Sequence, residues 1–200
     1  MIKPIHPFPA RMSPELAIAG LKGVNRRGVV LDPMVGSGTV IRQASELGYR
    51  AIGFDMDPLA VLMTKVWTTF VADEVVERLA KNVLGNVRGL TGNVNLPWID
   101  DDSETNLFVE YWFAEPQRSD LRRLALVLSE LEHQHLIAEE QAAVDVLRLA
   151  LSRIIITKNK GASLARDVSH SRPHKVADVS SFEVIPAFDR SVQQIRRLLA

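Results

Sequence analysis

Apolar and polar positions alternate along this chain in two ways. From residue 28 the run Val29, Val30, Leu31 is followed by Pro33 and by Gly36 and Gly38, and apolar residues then return with helical spacing at Val40, Ile41, Ala44 and Leu47. The pattern predicts strand, glycine loop and helix, with Gly48 placed to stop the helix and a second strand from Ala51 to Phe54 ending on Asp55. Elsewhere helical spacing dominates. Ser13-Pro14-Glu15 starts a helix that runs to about Lys22, with Ser as cap and Pro at the first position. Asp57-Pro58 repeats that signal and opens a helix through Leu59, Leu62, Met63 and Val66 to near Phe70, so Asp57 reads as a cap. Further helices are predicted over 71–84, with Val75, Val76, Leu79 and Val83 on one face, and over 116–131 and 137–156, where Ile154-Ile155-Ile156 reads as a helix end. Residues 85–102 carry Gly, Asn and Pro at short intervals and predict a long loop. Phe182 to Phe188 reads as a short strand and Asp189 as the cap of a last helix, with Val192, Ile195, Leu198 and Leu199 inward.

The first of these patterns carries candidate chemistry. A glycine-loop βαβ unit whose second strand ends on an acid is suited to a nucleoside: glycines admit the ligand to the backbone, and Asp55 accepts hydrogen bonds from ribose hydroxyls. The dinucleotide fingerprint needs a third glycine where Ile41 stands, and no Gly-Lys-Ser/Thr follows for a phosphate loop of the ATPase kind. The loop instead carries its own acid, Asp32, at the strand end. A carboxylate there repels a pyrophosphate and suits a ligand with an ammonium group, such as the methionine part of S-adenosylmethionine.

Asp32-Pro33-Met34-Val35-Gly36-Ser37-Gly38-Thr39 resembles the cofactor loop of the amino-directed DNA methyltransferases, which act on the exocyclic nitrogen of adenine or cytosine. Gly53-Phe54-Asp55-Met56-Asp57 is similar to their second cofactor motif, and His6-Pro7-Phe8-Pro9-Ala10-Arg11-Met12 to the segment that covers the methionine end of the cofactor. The close match covers about residues 5 to 65, with a looser one near 163 to 176. The resemblance implies a partial Rossmann-like, S-adenosylmethionine-dependent methyltransferase fold of the α/β class, interrupted by a mostly helical insertion. Residues 1–70 form its cofactor-binding part, 71–157 the insertion, 158–175 a basic loop, and 176–200 a return strand and helix. It also implies S-adenosylmethionine as cofactor, with Asp32 facing the methionine ammonium, Gly36 and Gly38 admitting the ligand between Pro33, Ser37 and Thr39, and Met56 against the adenine. DNA, in duplex form with a flipped target base, is the implied partner.

The same family uses an S/D/N-P-P-Y/F motif to hold the target amino group, and no such motif occurs here. Asn95-Leu96-Pro97-Trp98 and Ser171-Arg172-Pro173-His174 lack the double proline and the aromatic. No catalytic residue is therefore assigned. The expectation is a cofactor-binding part that works with a missing catalytic half or with a second copy, because two or three strands leave an open sheet edge. A non-catalytic cofactor- or nucleic-acid-binding subunit stays open as an alternative. So does an RNA amino-methyltransferase, although that class should bring an RNA-binding domain.

Composition narrows the chemistry further. The 200 residues contain no cysteine, which excludes methylation at cytosine carbon 5 through a thiolate adduct, as well as disulfides and thiolate zinc sites. Neither a signal-peptide pattern nor a membrane-length apolar run is present, so a cytoplasmic location is expected. Net charge is zero but unevenly placed: from Arg153 to Lys175 there are six Lys or Arg and one acid, Asp167. Lys158, Lys160, Arg166, Arg172 and Lys175 are thus candidate nucleic-acid contacts, against the alternative of a solvated loop. Leu107 to Phe113, with Tyr111 and Trp112, reads as the packing of a satellite helical core, with stacking on a flipped base as the minor alternative. His133-Gln134-His135 reads as a surface turn between helices rather than a metal site.

Overall fold

The computed structural model describes residues 5–7, 12–25, 28–157, 161–166 and 174–200. These form a mixed α/β chain dominated by helices, and the chain divides into two compact units at Phe70 and Val71.

The first unit contains α1 (Pro14–Leu21), β1 (Val29–Asp32), α2 (Thr39–Glu46), β2 (Arg50–Gly53) and α3 (Pro58–Thr68). Each boundary has a local cause. Pro14 and Pro58 occupy first helical positions, where their missing N–H costs nothing, and the Asp57 carboxylate caps α3 by accepting the Leu59 N–H at 2.9 Å. Gly48, at φ +80°, ends α2 in the left-handed conformation that a side chain resists. The strands pair in parallel with Val29 opposite Arg50 and Asp32 opposite Gly53. A parallel pair requires a crossover, and α2 supplies it. Both α1 and α3 pack on α2. The Tyr49 hydroxyl lies 3.1 Å from the carbonyls of Leu21 and of Val24, sharing its one proton to fasten the end of α1.

Among the described residues, only one face of this small sheet is covered. Gly53 faces Val35 and Ile41 so closely that an added Cβ would lie 2.2 Å from Val35 Cγ1 and 3.0 Å from Ile41 Cγ1. On the opposite face Val29, Leu31, Ile52 and, just beyond the strand, Phe54 are all exposed. Among the described residues each strand pairs on one edge only.

The second unit contains α4 (Asp73–Gly89), α5 (Pro97–Asp100), α6 (Ser103–Trp112), α7 (Gln117–Glu132), α8 (Ala138–Ser152), β3 (Ala165–Arg166), β4 (His174–Lys175) and α9 (Val184–Leu199). Its core is built where α4, α7 and α8 meet, from Val76, Val83, Leu124, Val144 and Leu147, joined by Val184, Phe188, Val192 and Ile195 of α9. The run Gly161 to Ala165 is buried throughout and is held by Ala162 N–H to the Ile154 carbonyl (2.7 Å), Ser163 N–H to Ile155 (3.0 Å) and Leu164 N–H to Trp112 (2.8 Å). Beyond it β3 and β4 pair antiparallel, Ala165 with Lys175 and Arg166 with His174.

Several expectations are corrected here. The long loop over 85–102 shrinks to residues 90–96, because α4 continues through Gly85 and Gly89 with Leu84 and Val87 buried on its core face. Arg122 pins what remains, donating to the Val94 carbonyl from Nε (3.1 Å) and Nη2 (3.0 Å) and pairing with Asp100. The strand expected over 182–188 and the cap at Asp189 give way to α9, which begins at Val184 with Glu183 at the cap position. Pro186 lies in the first turn of α9, where its lack of an N–H is harmless. The segment after residue 175 therefore adds no strand to β1 and β2, and it clusters with the second unit. The satellite-core reading of the aromatic cluster holds only in part: Val109, Trp112 and Phe113 are half-buried, but Leu107, Phe108 and Tyr111 are 66%, 59% and 54% exposed.

Arg196 of α9 is the main polar tie of the second unit. Its guanidinium donates to both carboxylate oxygens of Asp73 (2.7 and 2.6 Å) and to Glu77 (3.0 Å), and it is largely shielded from water. The hydrogen bond from Arg196 holds the Asp73 carboxyl below the usual carboxylate range. Because the folded-state value is depressed, this stabilisation is present above the unfolded value near ~3.9 and is lost as pH falls through the folded one. Arg196→Ala is expected to cost about 1 kcal/mol at neutral pH, since the acids are partly exposed. Urea midpoints of wild type and variant should converge as pH falls through the folded-state value of Asp73.

Candidate functional site

The loop joining β1 to α2 is built around two carboxylates at strand ends. Asp32 closes β1, and its Oδ1 accepts the Met34 N–H at 3.1 Å, turning the chain sharply after Pro33. Asp55, just past β2, accepts the Gly36 N–H on Oδ2 at 2.8 Å and the Asp57 N–H on Oδ1 at 3.0 Å. Those donors, Asp57 first and then Gly36, hold the Asp55 carboxyl below the ordinary carboxylate range. Val35 N–H to the Phe54 carbonyl (3.0 Å) and Phe54 N–H to the Asp32 carbonyl (2.9 Å) complete the joint between the strand ends.

The two loop glycines have different reasons to be glycine. Gly36 has φ +49°, and a Cβ there meets nothing within 4 Å, so the space above it is open. Gly38 has φ +79°, and a Cβ there lies 2.7 Å from Thr64 Oγ1 and 3.0 Å from Thr64 Cα. Gly38 thus serves the packing of α3 on the loop. It also precedes α2 without any side-chain cap, leaving the first turn of the helix as a partially positive end. Ser37 is buried, with its hydroxyl 3.3 Å from that of Thr39.

Around this loop, Met34 is 82% and Met56 100% exposed. Met34 was not singled out from the sequence, although its place inside the loop motif was the available signal. His6 is buried, Pro7 exposed and Met12 half-exposed, whereas Phe8 lies outside the described residues. Of the candidate nucleic-acid contacts, Lys158, Lys160 and Arg172 also lie outside them. Arg166 sits on β3 and Lys175 on β4, where Lys175 pairs with Asp178 at 2.9 Å and places its Nζ 5.1 Å from the Tyr111 ring centroid. Two of the acids between 100 and 104 are structural: Asp100 accepts the Leu96 N–H, and Asp102 caps α6 through the Thr105 N–H. Among the described residues no cluster of His, Asp and Glu suits a metal ion, and no helix is long and apolar enough to cross a membrane.

Comparison with known proteins points to a relationship with the methyltransferases. The chain is similar to the type II methyltransferase M.MjaII of Methanocaldococcus jannaschii, 28% identical over 91 residues, which are 45% of this chain and 17% of that protein. The chain thus spans less than a fifth of that relative's length. No family model matches, and no solved structure matches.

Proposed function

We propose that this chain is the S-adenosylmethionine-binding part of a DNA methyltransferase that acts on the exocyclic amino group of adenine or cytosine, with its first unit forming part of a Rossmann-like fold. The observation that carries the reading is the joint of Asp32, Gly36 and Asp55, in which an open, left-handed glycine is held between two strand-end carboxylates. Asp32 faces the methionine ammonium, the uncapped first turn of α2 faces the methionine carboxylate, and Asp55 receives the ribose hydroxyls through its remaining lone pairs. Met56 lies against the adenine, while Pro33, Ser37 and Thr39 shape the loop and His6, Pro7, Phe8 and Met12 cover the methionine end. When bound, the cofactor supplies an electrophilic sulfonium methyl. The residues of this chain orient it and exclude water, and the amino nitrogen is activated by groups that this chain does not carry. A second body, either a catalytic half or another copy, covers the exposed apolar face of Val29, Leu31, Ile52 and Phe54.

Titration calorimetry tests the binding claim. Heat is expected with S-adenosylmethionine and none with NAD, whereas binding of NAD alone would return the loop to the dehydrogenase class. Transfer of labelled methyl to DNA by this chain alone would overturn the division of labour. The absence of transfer beside intact cofactor binding agrees with the alternative of a non-catalytic subunit, which the missing S/D/N-P-P-Y/F motif favours. Sedimentation addresses the covered face: a clean monomer with every apolar sheet residue protected from exchange would refute it.

A further inference from the structure

Helix α6 carries an apolar load that its own fold does not use. One face of α6, with Thr105, Val109 and Trp112 at helical spacing, is half-buried, whereas Phe108 and Tyr111 on its outer side project more than half of their surface. The rings are nevertheless ordered against one another. Phe108 stands 6.1 Å from Trp112 at a 54° tilt, and Tyr111 meets Trp112 edge-on at 4.9 Å. Both ends of the helix are fixed, by the Asp102 cap at one and by the Leu164 N–H to Trp112 carbonyl bond at the other.

That second tie brings the β3–β4 ladder and the aromatics together. Leu164 leads directly into β3, and β4 returns Lys175 to the Tyr111 ring. Residues that are far apart in sequence, the aromatic cluster near 110 and Lys175, thus meet on one surface of the second unit. Acids are present too: Glu110 pairs with Arg118 at 3.7 Å, Glu104 lies in the first turn of α6, and Asp178 holds Lys175. The last pair is weak, because the Asp178 side chain is 91% exposed, so Lys175 can exchange it for a phosphate at little cost.

We propose that the outer face of α6 and the adjoining β4 form a binding surface for unpaired nucleic-acid bases, with Phe108 and Tyr111 as stacking platforms and Lys175 as a backbone contact. Exposed rings beside a cation are what a single strand recognises, since every base offers a π-face and every nucleotide a charge. A purely apolar protein partner would use the rings but not the ammonium of Lys175. The inference rests on the reading of this protein as one that acts on nucleic acid, and it adds where the strand is held.

Fluorescence anisotropy with a labelled oligothymidine tests it on the full chain. Phe108→Ala with Tyr111→Ala should weaken binding by about tenfold or more, while Tyr111→Phe stays within about twofold of wild type because the stacking face is kept. Lys175→Ala should lower the slope of log affinity against log salt by about 0.7. A 5-iodouracil oligonucleotide should crosslink to Phe108 or Tyr111. Wild-type affinity in the double variant, or no oligonucleotide binding at all, would overturn the proposal. So would dissociation of an oligomer by the double variant with oligonucleotide binding intact, which would make the face a protein contact. Calorimetry with S-adenosylmethionine on the same samples separates the two readings. Oligonucleotide binding without cofactor binding removes the methyltransferase reading alone, and the reverse removes the α6 surface alone.

Discussion

Gly38→Ala is expected to destabilise the first unit by about 2–4 kcal/mol, the sum of the left-handed backbone cost and the overlap with α3. Thr64 Oγ1, at 2.7 Å from the new methyl, can rotate away, but Thr64 Cα at 3.0 Å can retreat only if α3 moves. Because α3 packs on α2, that movement strains the joint that holds the loop. Gly36→Ala provides the control. Its φ is also positive, but its Cβ enters open space, so only the backbone cost of about 1–2 kcal/mol applies. Thermal melts should therefore rank Gly38→Ala well below Gly36→Ala. Cofactor titration at a temperature where both are folded should show the larger loss of affinity in Gly36→Ala, whose methyl occupies the space proposed for the ligand. Equal melting points for the two variants would remove the packing role given to Gly38.

The second large effect is expected at Asp55, and it distinguishes a ribose acceptor from a brace. The carboxylate accepts one backbone N–H on each oxygen, from Gly36 and from Asp57. Asparagine has the same shape but only one acceptor oxygen, so its NH2 group must face a backbone donor in either orientation. Asp55→Asn should consequently lower S-adenosylmethionine affinity nearly as much as Asp55→Ala, by about tenfold or more in both. Hydrogen exchange at Gly36 should rise in both variants even without ligand, a change that loss of a ribose contact alone does not produce. Asn binding like wild type would sink the brace, and Ala binding like wild type would sink the ribose assignment as well. The pH dependence follows from the lowered Asp55 value. The brace is intact above the ordinary aspartate range near ~3.9 and weakens as pH falls through the folded-state value.

The first unit was legible in the sequence because its punctuation is local. Pro14, Asp57-Pro58 and Gly48 each act through the backbone of their own residue, and the apolar runs between them change period where the elements change. The difference between Gly36 and Gly38 was not legible, since it depends on Thr64, which α3 brings back across 26 positions of sequence. In the second unit the misread segments are those in which tertiary burial outweighs local signals. Gly85 and Gly89 weaken a helix by about 1 kcal/mol each relative to Ala, but the buried Val83, Leu84 and Val87 hold α4 together through them. The pattern Phe-Glu-Val-Ile-Pro-Ala-Phe suits a strand read alone, whereas Val184, Ala187, Phe188, Ser191, Val192 and Ile195 are buried at helical spacing on both sides of Pro186. Of the candidate site, the residue types were readable and the convergence was not: nothing in the spacing of Tyr111 and Lys175 announces that they meet.

The buried run from Gly161 to Ala165 has a mechanical consequence. It anchors one end of the β3–β4 ladder in the core, and the ladder fixes the distance between Arg166 and His174 whatever chain connects them. Separating β3 from β4 therefore costs the withdrawal of a buried segment as well as the loss of two residue pairs.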